Sequence, residues 1–390
     1  MSSSNETQPD RLNRTFLTRS TVLLTSLLVA SFSQPIIAKG EIKPSKPYVR
    51  KKAWPGGVQA TNDLPDDPAL PALAAIRAAG LAGAIRVPGL GDGPVEFLLR
   101  GYTPGSRATF EARAGGRRVA VKAYAEDPAP EAALYEALAA AGLGGESDVR
   151  VPPLLAWERD LRVLVIGWLE GPTARDLVRS GQGRRAGELT ARWLQRTASL
   201  LMKLGPPLGA TDVMDRVRTW VAALIASDPA LGTAAVALAE SLARTQPKEG
   251  ISRLVHGTLY ARHIIDLGDG PGVIDWQRFG QGPVELDAGT FLGTILRIGL
   301  LDKTRETEAM HAREAFLAGT AGLLDERALA WHQAAMLLRL AGKQNRRHDD
   351  RWRERAHALL GEAARLADAA GPPATSAAPM APDNNNARFI

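Results

Sequence analysis

The sequence predicts an α+β protein with two lobes, a small antiparallel β lobe that carries one helix and a larger, mainly helical lobe. Runs of β-forming residues separated by glycine-containing turns are concentrated between residues 95 and 169. Amphipathic helical patterns dominate from residue 173 to residue 370. The chain has 390 residues, of which 45% are apolar, and this suffices for one large two-lobed domain or for two domains.

The N-terminal residues 1–40 form a segment that resembles a signal or a membrane anchor. Arg11, Arg14 and Arg19 precede an uncharged, apolar run at residues 20–38, which fits a secretory signal peptide. The same run fits a single anchor that contacts the membrane. Positive charge is denser after the run than before it, so an anchor would keep the rest of the chain in the cytoplasm. Export, anchoring and a mis-assigned start codon all remain open.

A linker and one helix are predicted for residues 41–89. Lys, Pro and Gly are frequent in residues 40–66, and no periodic pattern is present there. Residues 68–86 place leucine and isoleucine at helical spacing on one side, which predicts a helix that packs on the lobe after it.

The smaller lobe is predicted to span residues 90–170 and to begin with two hairpins. Residues 95–100 and 107–113 are β-like and flank a turn that contains Gly101 and Gly105. Such a turn occurs in many plain hairpins. It also occurs in loops whose backbone amides cover phosphate groups.

Lys122 is a candidate phosphate-binding residue on the next strand, residues 117–124. Strand alternation puts Lys122 on one face with Ala120, opposite Val119 and Val121. A lysine on the concave face of such a sheet can reach a phosphate, whereas the simplest alternative is a solvated strand residue. The helix predicted to start near residue 127 carries Glu131 in its first turn, where the helix dipole favours an acid.

Two further strands and a series of helices complete the prediction. The strands are residues 151–156 and 161–169, and the second ends in a turn at Gly167, Trp168 and Leu169. The larger lobe, residues 171–370, is followed by a Pro-, Ala- and Asn-rich tail at residues 371–390 that is predicted to be disordered. The helices predicted in the larger lobe are residues 189–204, 213–226, 230–243, 291–301, 307–318, 326–341 and 356–370.

Residues 254–263 and 272–276 are the segments around which the chain is expected to be organised. A short apolar run enters a polar turn at His256 and Gly257, and a second short strand delivers Asp275 beside that turn. Two loops of this kind can hold a metal ion and a phosphate between them.

These segments resemble the catalytic and metal-binding loops of the aminoglycoside phosphotransferases and their choline-kinase and sugar-kinase relatives, which share the protein-kinase-like fold. His256 and Gly257 match the start of the first loop, His-Gly-Asp-x-x-x-x-Asn. The catalytic Asp of that loop falls on Thr258, and its metal-binding Asn falls on His263. Residues 274–276, Ile-Asp-Trp, match the second loop, and residues 285–288 are similar to the Asp-Leu-Ala that follows it in the family.

The resemblance implies an ATP-dependent phosphotransferase that acts on a hydroxyl of a small molecule and uses Mg²⁺. Lys122 would hold the ATP phosphates, Glu131 would orient it, and Glu136 is the alternative partner. Asp275 would bind Mg²⁺. In the first loop His256 would brace the loop, Thr258 would position the substrate hydroxyl, and His263 would be a second metal contact. Gly101 and Gly105 would cover the phosphates, and Gly167, Trp168 and Leu169 would meet the adenine edge.

The two mismatches support an alternative, a catalytically impaired pseudokinase that binds nucleotide or a partner. Thr258 has no basic group at neutral pH and cannot accept the proton of the substrate hydroxyl. His263 offers nitrogen, which suits softer metals than Mg²⁺. Phosphoryl transfer depends mostly on positioning and charge neutralisation, so both functions remain open.

Composition narrows the remaining classes of function. The absence of cysteine excludes disulfides, thiol catalysis and cysteine-ligated metal. The net charge of +6 is compatible with nucleic acid or anionic lipid, but the charges are scattered and no nucleic-acid partner is expected. Because a kinase needs ATP, the kinase domain is expected in the cytoplasm. No motif in the predicted helices identifies the acceptor.

Overall fold

The structure, a computed structural model, describes residues 64–90, 94–145, 147–248, 250–344 and 350–371. The N-terminal segment predicted at residues 1–40 lies outside these residues, as does almost all of the predicted tail. Among the described helices, none is both long and apolar enough to cross a membrane.

A five-stranded antiparallel sheet forms the smaller lobe, with strand order β1-β2-β3-β5-β4. The first three strands form a meander of two hairpins, as the sequence predicts. The helix α2 follows β3 and places its first turn beside that strand. The elements of this lobe are α1 (Pro71–Ala84), β1 (Glu96–Thr103), β2 (Arg107–Ala114), β3 (Arg117–Tyr124), α2 (Ala129–Leu138), β4 (Leu154–Glu158) and β5 (Val163–Gly167).

The outer face of the sheet is covered by α1. Leu73 and Ile76 of α1 are buried against Phe97, Phe110 and Val121, which point to that face from the first three strands. The period-two pattern of β3 therefore sends Val121 into this core and leaves Lys122 on the opposite face, toward the larger lobe. Burial of this apolar surface holds α1 in place.

The larger lobe is mainly helical and contains two hydrophobic cores. One core joins it to the smaller lobe and includes Trp193, Trp276 and Phe291. The other lies among the C-terminal helices and includes Val217 and Trp331. The helices are α3 (Ala174–Arg179), α4 (Gly183–Ala198), α5 (Ala210–Ser227), α6 (Pro229–Arg244), α7 (Val284–Leu301), α8 (Glu306–Gly319), α9 (Glu326–Ala341) and α10 (Trp352–Ala369).

Two short antiparallel ladders lie between α6 and α7 and carry the predicted loops. The strands β6 (Arg253–Val255) and β9 (Gly280–Gly282) form one ladder. The strands β7 (Ile264–Asp266) and β8 (Pro271–Val273) form the other. Because β6 and β8 end at residues 255 and 273, the turn at His256 and the residue Asp275 both follow strand ends.

The largest differences from the predicted helix boundaries are in α4 and α7. The helix predicted at residues 189–204 is shifted, since α4 starts at Gly183 and ends at Ala198, and residues 200–204 belong to no helix or strand. The helix predicted from residue 291 instead begins at Val284, so that Glu285 and Asp287 lie in its first turn. Carboxylates are favourable at this position because they oppose the positive end of the helix dipole.

Candidate functional site

A cleft of about 420 Å³ lies between the inner face of the sheet and the two loops of the larger lobe. The predicted residues Gly101, Lys122, Gly167, Trp168, Leu169, His263 and Asp275 line it, together with Arg100, Arg107, Arg262 and Gln277. Gly105, Glu131, His256 and Thr258 are not among its lining residues. The fold thus brings most of the predicted site residues to one cavity, from segments as far apart in the sequence as Gly101 and Asp275.

Lys122 and Glu131 form a buried ion pair on the sheet side of the cleft. The Lys122 Nζ atom lies 2.5 Å from Glu131 Oε1, and the Tyr124 hydroxyl donates to Glu131 Oε2 over 2.7 Å. Burial alone would lower the pKa of Lys122, but the Glu131 carboxylate outweighs it and raises that pKa above its usual value. Lys122 is therefore a permanent cation. The alternative partner, Glu136, is exposed.

The two glycines predicted to cover the phosphates have different surroundings. Gly101 lies at an irregularity in β1, where the pairing register shifts, and it lines the cleft. Gly105 lies in the turn between β1 and β2, and its amide donates to Asp67 Oδ2 over 2.6 Å. The Tyr102 hydroxyl donates to the same oxygen over 3.0 Å. Asp67 therefore holds this turn from the outer side, a contact that the sequence analysis did not anticipate.

Trp168, after β5, is fixed between two guanidinium groups. The Cζ atoms of Arg100 and Arg118 lie 5.6 and 4.7 Å from the Trp168 ring centroid. Both arginines donate to the buried carboxylate of Glu111 over 2.8 Å, and this network keeps the guanidinium groups beside the ring. The Gly167 amide donates to the Pro153 carbonyl over 2.8 Å.

Asp287, in the first turn of α7, anchors the first loop. Its Oδ2 and Oδ1 atoms accept hydrogen bonds from the backbone amides of His256 (2.6 Å) and Gly257 (2.9 Å). Burial raises the pKa of Asp287 to about 7, although these backbone bonds favour the charged form. The sequence analysis connected residues 285–288 only with the site region. The start of a helix behind a His-Gly turn is the signal that could have identified this anchor.

His256 joins the two loops. Its Nδ1 atom accepts a hydrogen bond from the Thr258 amide over 3.3 Å, so the proton of the neutral ring is on Nε2, which donates to the Ile274 carbonyl over 2.9 Å. Burial lowers the pKa of His256 to about 3, and the ring is neutral at ordinary pH. A bracing role for His256 is compatible with these contacts.

Thr258 is a buried residue of the first loop. The residue is 6% exposed, and its hydroxyl oxygen lies 3.5 Å from His256 Nδ1. No carboxylate occupies this position, and neither Thr258 nor its neighbour Leu259 lines the cleft. The position that carries the catalytic Asp in the resembled family therefore supplies no base here.

His263 and Asp275 face each other on the larger-lobe side of the cleft. His263 Nδ1 donates to the Thr258 carbonyl over 2.9 Å, which leaves the lone pair of the neutral ring on Nε2. Nε2 lies 3.2 Å from Asp275 Oδ2 but forms no hydrogen bond. Asp275 has a φ of +70°, a conformation that is uncommon for a non-glycine residue and is found at functional sites.

The charges around this pair keep Asp275 ionised and His263 neutral. Burial would raise the pKa of Asp275, but the nearby ammonium group of Lys122 favours the ionised carboxylate and lowers that pKa. Burial lowers the pKa of His263, and the Asp275 carboxylate opposes this shift only in part. A carboxylate oxygen beside an unpartnered imidazole nitrogen is a donor pair that fits a divalent cation.

Gln277 is a cleft residue that the sequence analysis missed. It lies two residues after Asp275, lines the cleft, and its Oε1 atom is buried without a hydrogen-bond partner among the described residues. An amide oxygen is a ligand that Mg²⁺ accepts and is harder than imidazole nitrogen. The described residues contain no cluster of three or more His, Asp or Glu side chains that could hold a metal by itself.

Comparisons with known proteins agree with this architecture. A family model described as the phosphotransferase enzyme family (APH) matches residues 106–332, more than half of the chain. Among curated proteins, none matches the sequence significantly.

Two phosphotransferase structures share the protein-kinase-like fold at low sequence identity, and a choline kinase structure is similar to this chain. Spectinomycin phosphotransferase APH(9)-Ia, solved with ADP and spectinomycin, is 12% identical with a TM-score of 0.50, and the match covers 75% of this chain and 97% of that protein. A thermostable mutant of aminoglycoside phosphotransferase APH(4)-Ia, solved with AMP-PNP and hygromycin B, is 14% identical with a TM-score of 0.50 over 73% of this chain and 96% of that one. Choline kinase LicA from Streptococcus pneumoniae is 12% identical with a TM-score of 0.49 over 71% and 94%.

Proposed function

The chain belongs to the phosphotransferase enzyme family, and from this premise we propose that it transfers the γ-phosphoryl group of ATP to a hydroxyl of a small molecule. The observation that carries the proposal is the buried Lys122–Glu131 pair, whose lysine lines the same cleft as Asp275. Relatives solved with ADP or AMP-PNP support nucleotide as the ligand of this cleft.

The nucleotide would occupy the cleft with its phosphates at Lys122. The ammonium group of Lys122, held in place by Glu131, would neutralise phosphate charge, and Gly101 would approach the phosphates from the sheet. The adenine edge would meet the backbone at Trp168 and Leu169, because the Gly167 amide already donates to a carbonyl. Gly105 would act only indirectly, since its amide is held by Asp67.

A divalent cation would be held by Asp275 and His263. When bound, such a cation neutralises charge that develops on the phosphate oxygens during transfer. Asp275 remains ionised and presents a carboxylate oxygen, and His263 presents the Nε2 lone pair. His256 would hold the two loops together, because it forms hydrogen bonds with both of them.

In the transfer step, a bond forms between the acceptor oxygen and the γ-phosphorus while the bond from that phosphorus to ADP breaks. The hydroxyl proton leaves to water or to a transferred phosphoryl oxygen, because Thr258 has no basic group. The transition state of such reactions is loose and requires little proton transfer by the protein. Positioning of the reactants therefore accounts for most of the rate acceleration. A requirement for ATP implies that the domain acts in the cytoplasm.

A calorimetric titration of AMP-PNP into the full chain, with and without Mg²⁺, tests the nucleotide site. We expect binding that strengthens with Mg²⁺ and loses that gain in Asp275→Ala. Asp302→Ala is the matched control, because Asp302 is an exposed carboxylate that caps a short turn after α7. No binding in either condition, or an equal loss in the control, would overturn the proposal.

The second candidate function is a nucleotide-binding protein that does not transfer phosphate. The observation in its favour is the buried Thr258 at the position of the catalytic base. Thr258→Asp distinguishes the two candidates in an assay of ADP release with a panel of hydroxyl acceptors. If the protein is an enzyme that works without the base, the wild type should be active and Thr258→Asp should increase its activity only slightly. If the protein is an impaired relative, the wild type should be inactive and Thr258→Asp should restore activity.

A further inference from the structure

Two arginines flank Tyr260, two residues after Thr258, and two more arginines lie near them. Arg262 and Arg339 have their Cζ atoms 4.3 and 5.5 Å from the Tyr260 ring centroid. Arg278 and Arg216 add to the same local positive field. We call Arg216, Arg262, Arg278 and Arg339 the arginine cluster.

The cluster lies directly beside the candidate catalytic loop. The ring of Tyr260 is 5.2 Å from that of His263, and Arg262 lines the cleft together with Asp275. Gly257 packs on the backbone of Arg278, since a Cβ atom at Gly257 would be 2.1 Å from the Arg278 carbonyl oxygen. Arg216, Arg278 and Arg339 do not line the cleft, so the cluster extends from the nucleotide site past Thr258.

The positive charge of the cluster is largely uncompensated within the described part of the chain. Arg216 pairs with Asp212 over 2.8 Å, but Arg262, Arg278 and Arg339 form no ion pair with a described carboxylate. Partial desolvation together with the charges of neighbouring arginines lowers the pKa of Arg278 and of Arg339. Like charges held this close destabilise the folded state unless an anion joins them.

A polar group without a partner among the described residues belongs to the ring that Arg262 and Arg339 contact. Tyr260 is 5% exposed, and its hydroxyl has no hydrogen-bond partner among the described residues. A buried hydroxyl of this kind normally finds a partner, because leaving it unpaired costs free energy. Guanidinium groups are suited to planar or bidentate recognition of phosphate and carboxylate, and a hydroxyl can donate to the same anion.

We propose that the arginine cluster and Tyr260 bind an anionic group of the acceptor, so that the acceptor is a hydroxyl compound bearing a phosphate or a carboxylate. The inference rests on the proposed phosphotransferase function and names the substrate class of that site. An amine-bearing acceptor would be repelled by three arginines that carry no counter-charge. The anion bound here differs from the nucleotide phosphates, which meet Lys122 inside the cleft.

Inorganic phosphate is the probe, titrated calorimetrically at constant ionic strength into the full chain saturated with AMP-PNP and Mg²⁺. We expect phosphate to bind, and we expect Arg278→Gln combined with Arg339→Gln to weaken this binding by about tenfold or more, because hydrogen bonds to charged groups are lost. The affinity for AMP-PNP should change by less than about twofold. The matched control is Arg218→Gln combined with Arg244→Gln, two exposed arginines of α5 and α6 that remove the same charge.

Three results would overturn the proposal. The first is that phosphate does not bind to the protein saturated with AMP-PNP and Mg²⁺. The second is that the control pair weakens phosphate binding as much as the cluster pair does. The third is that the cluster pair weakens the binding of AMP-PNP and of phosphate together. The third result would assign the arginines to the nucleotide. Efficient transfer to an amine-bearing acceptor such as choline would also contradict the proposal.

A separate arm distinguishes failure of the nucleotide site from failure of the cluster. If AMP-PNP does not bind, phosphate is titrated into the nucleotide-free protein and into Lys122→Met. Phosphate binding that survives Lys122→Met but is lost in the cluster pair supports the anion site even though the nucleotide proposal has failed. Loss in Lys122→Met alone assigns the phosphate to the cleft and overturns the inference. Thermal unfolding of each variant confirms that it is folded.

Discussion

The Nε2 atom of His263 lies 3.2 Å from the Oδ2 atom of Asp275 and forms no hydrogen bond. Since the Thr258 carbonyl can only accept, the ring proton of neutral His263 is on Nδ1, and two electron-rich atoms face each other. A cation between them would remove this repulsion. Nitrogen in place of a hard amide oxygen changes which cation is preferred.

We therefore expect the nucleotide complex of the wild type to favour Mn²⁺ over Mg²⁺ more strongly than His263→Asn does. The shift in relative affinity should be on the order of tenfold, because Mn²⁺ accepts imidazole more readily than Mg²⁺ does. Titration of AMP-PNP in the presence of each metal measures it. His357→Asn, at an exposed histidine of α10, is the control. Unchanged metal preference in His263→Asn would show that His263 is not a ligand.

Removal of Glu131 should destabilise the fold strongly. Glu131→Ala leaves the buried Lys122 ammonium without its counter-ion, and breaking a buried pair in this way costs about 3–5 kcal/mol. Glu136→Ala, one helical turn further along α2 and exposed, should cost less than about 0.5 kcal/mol. Urea unfolding of both variants measures the difference. Similar free energies for the two variants would mean that the pair does not stabilise the native state.

Gly257 is required by both its conformation and its surroundings. Its φ is +71°, and a Cβ atom would be 2.1 Å from the Arg278 carbonyl oxygen, so Gly257→Ala must displace the backbone of the second loop. Gly268 has a φ of +90° but open space around it, so Gly268→Ala adds only the strain of a left-handed residue, about 1–2 kcal/mol. Chemical unfolding should rank Gly257→Ala as clearly more destabilising. Equal losses would contradict the close contact between the loops.

Acid should destabilise the protein through His332. Burial lowers its pKa from 6.5 to about 3, and neither ring nitrogen has a hydrogen-bond partner among the described residues. Between pH 6.5 and 3 the unfolded chain therefore binds a proton that the folded chain does not, and the free energy of unfolding falls as the pH falls, by up to about 1.4 kcal/mol per pH unit.

His332→Leu should flatten this dependence, as measured by urea unfolding at pH 6.5 and pH 5. The wild type should lose up to about 2 kcal/mol more than the variant across this interval. His256, whose pKa is also about 3, keeps part of the dependence in both proteins. The exposed His357→Gln serves as the control and should resemble the wild type. A variant as acid-sensitive as the wild type would rule out His332 as a source.

The local elements of this protein follow from its sequence. Strand alternation and glycine turns located the hairpins of the small lobe to within about three residues, because each depends on neighbours along the chain. The family and the fold were likewise recognisable from two short segments. The prediction of α4 was wrong at both ends, since leucines at residues 200, 201 and 204 continue the apolar pattern after the helix has ended.

Only the tertiary structure decided which partners meet across the chain. Asp67 and Gly105, Asp287 and the amide of His256, and Arg339 and Tyr260 are each separated by tens of residues, and no periodic pattern connects such positions. The choice of Glu131 over Glu136 also depended on the packing of α2 against β3. Charge compensation, burial and hydrogen bonding at these positions are properties of the assembled fold, because they depend on distances that sequence spacing does not determine.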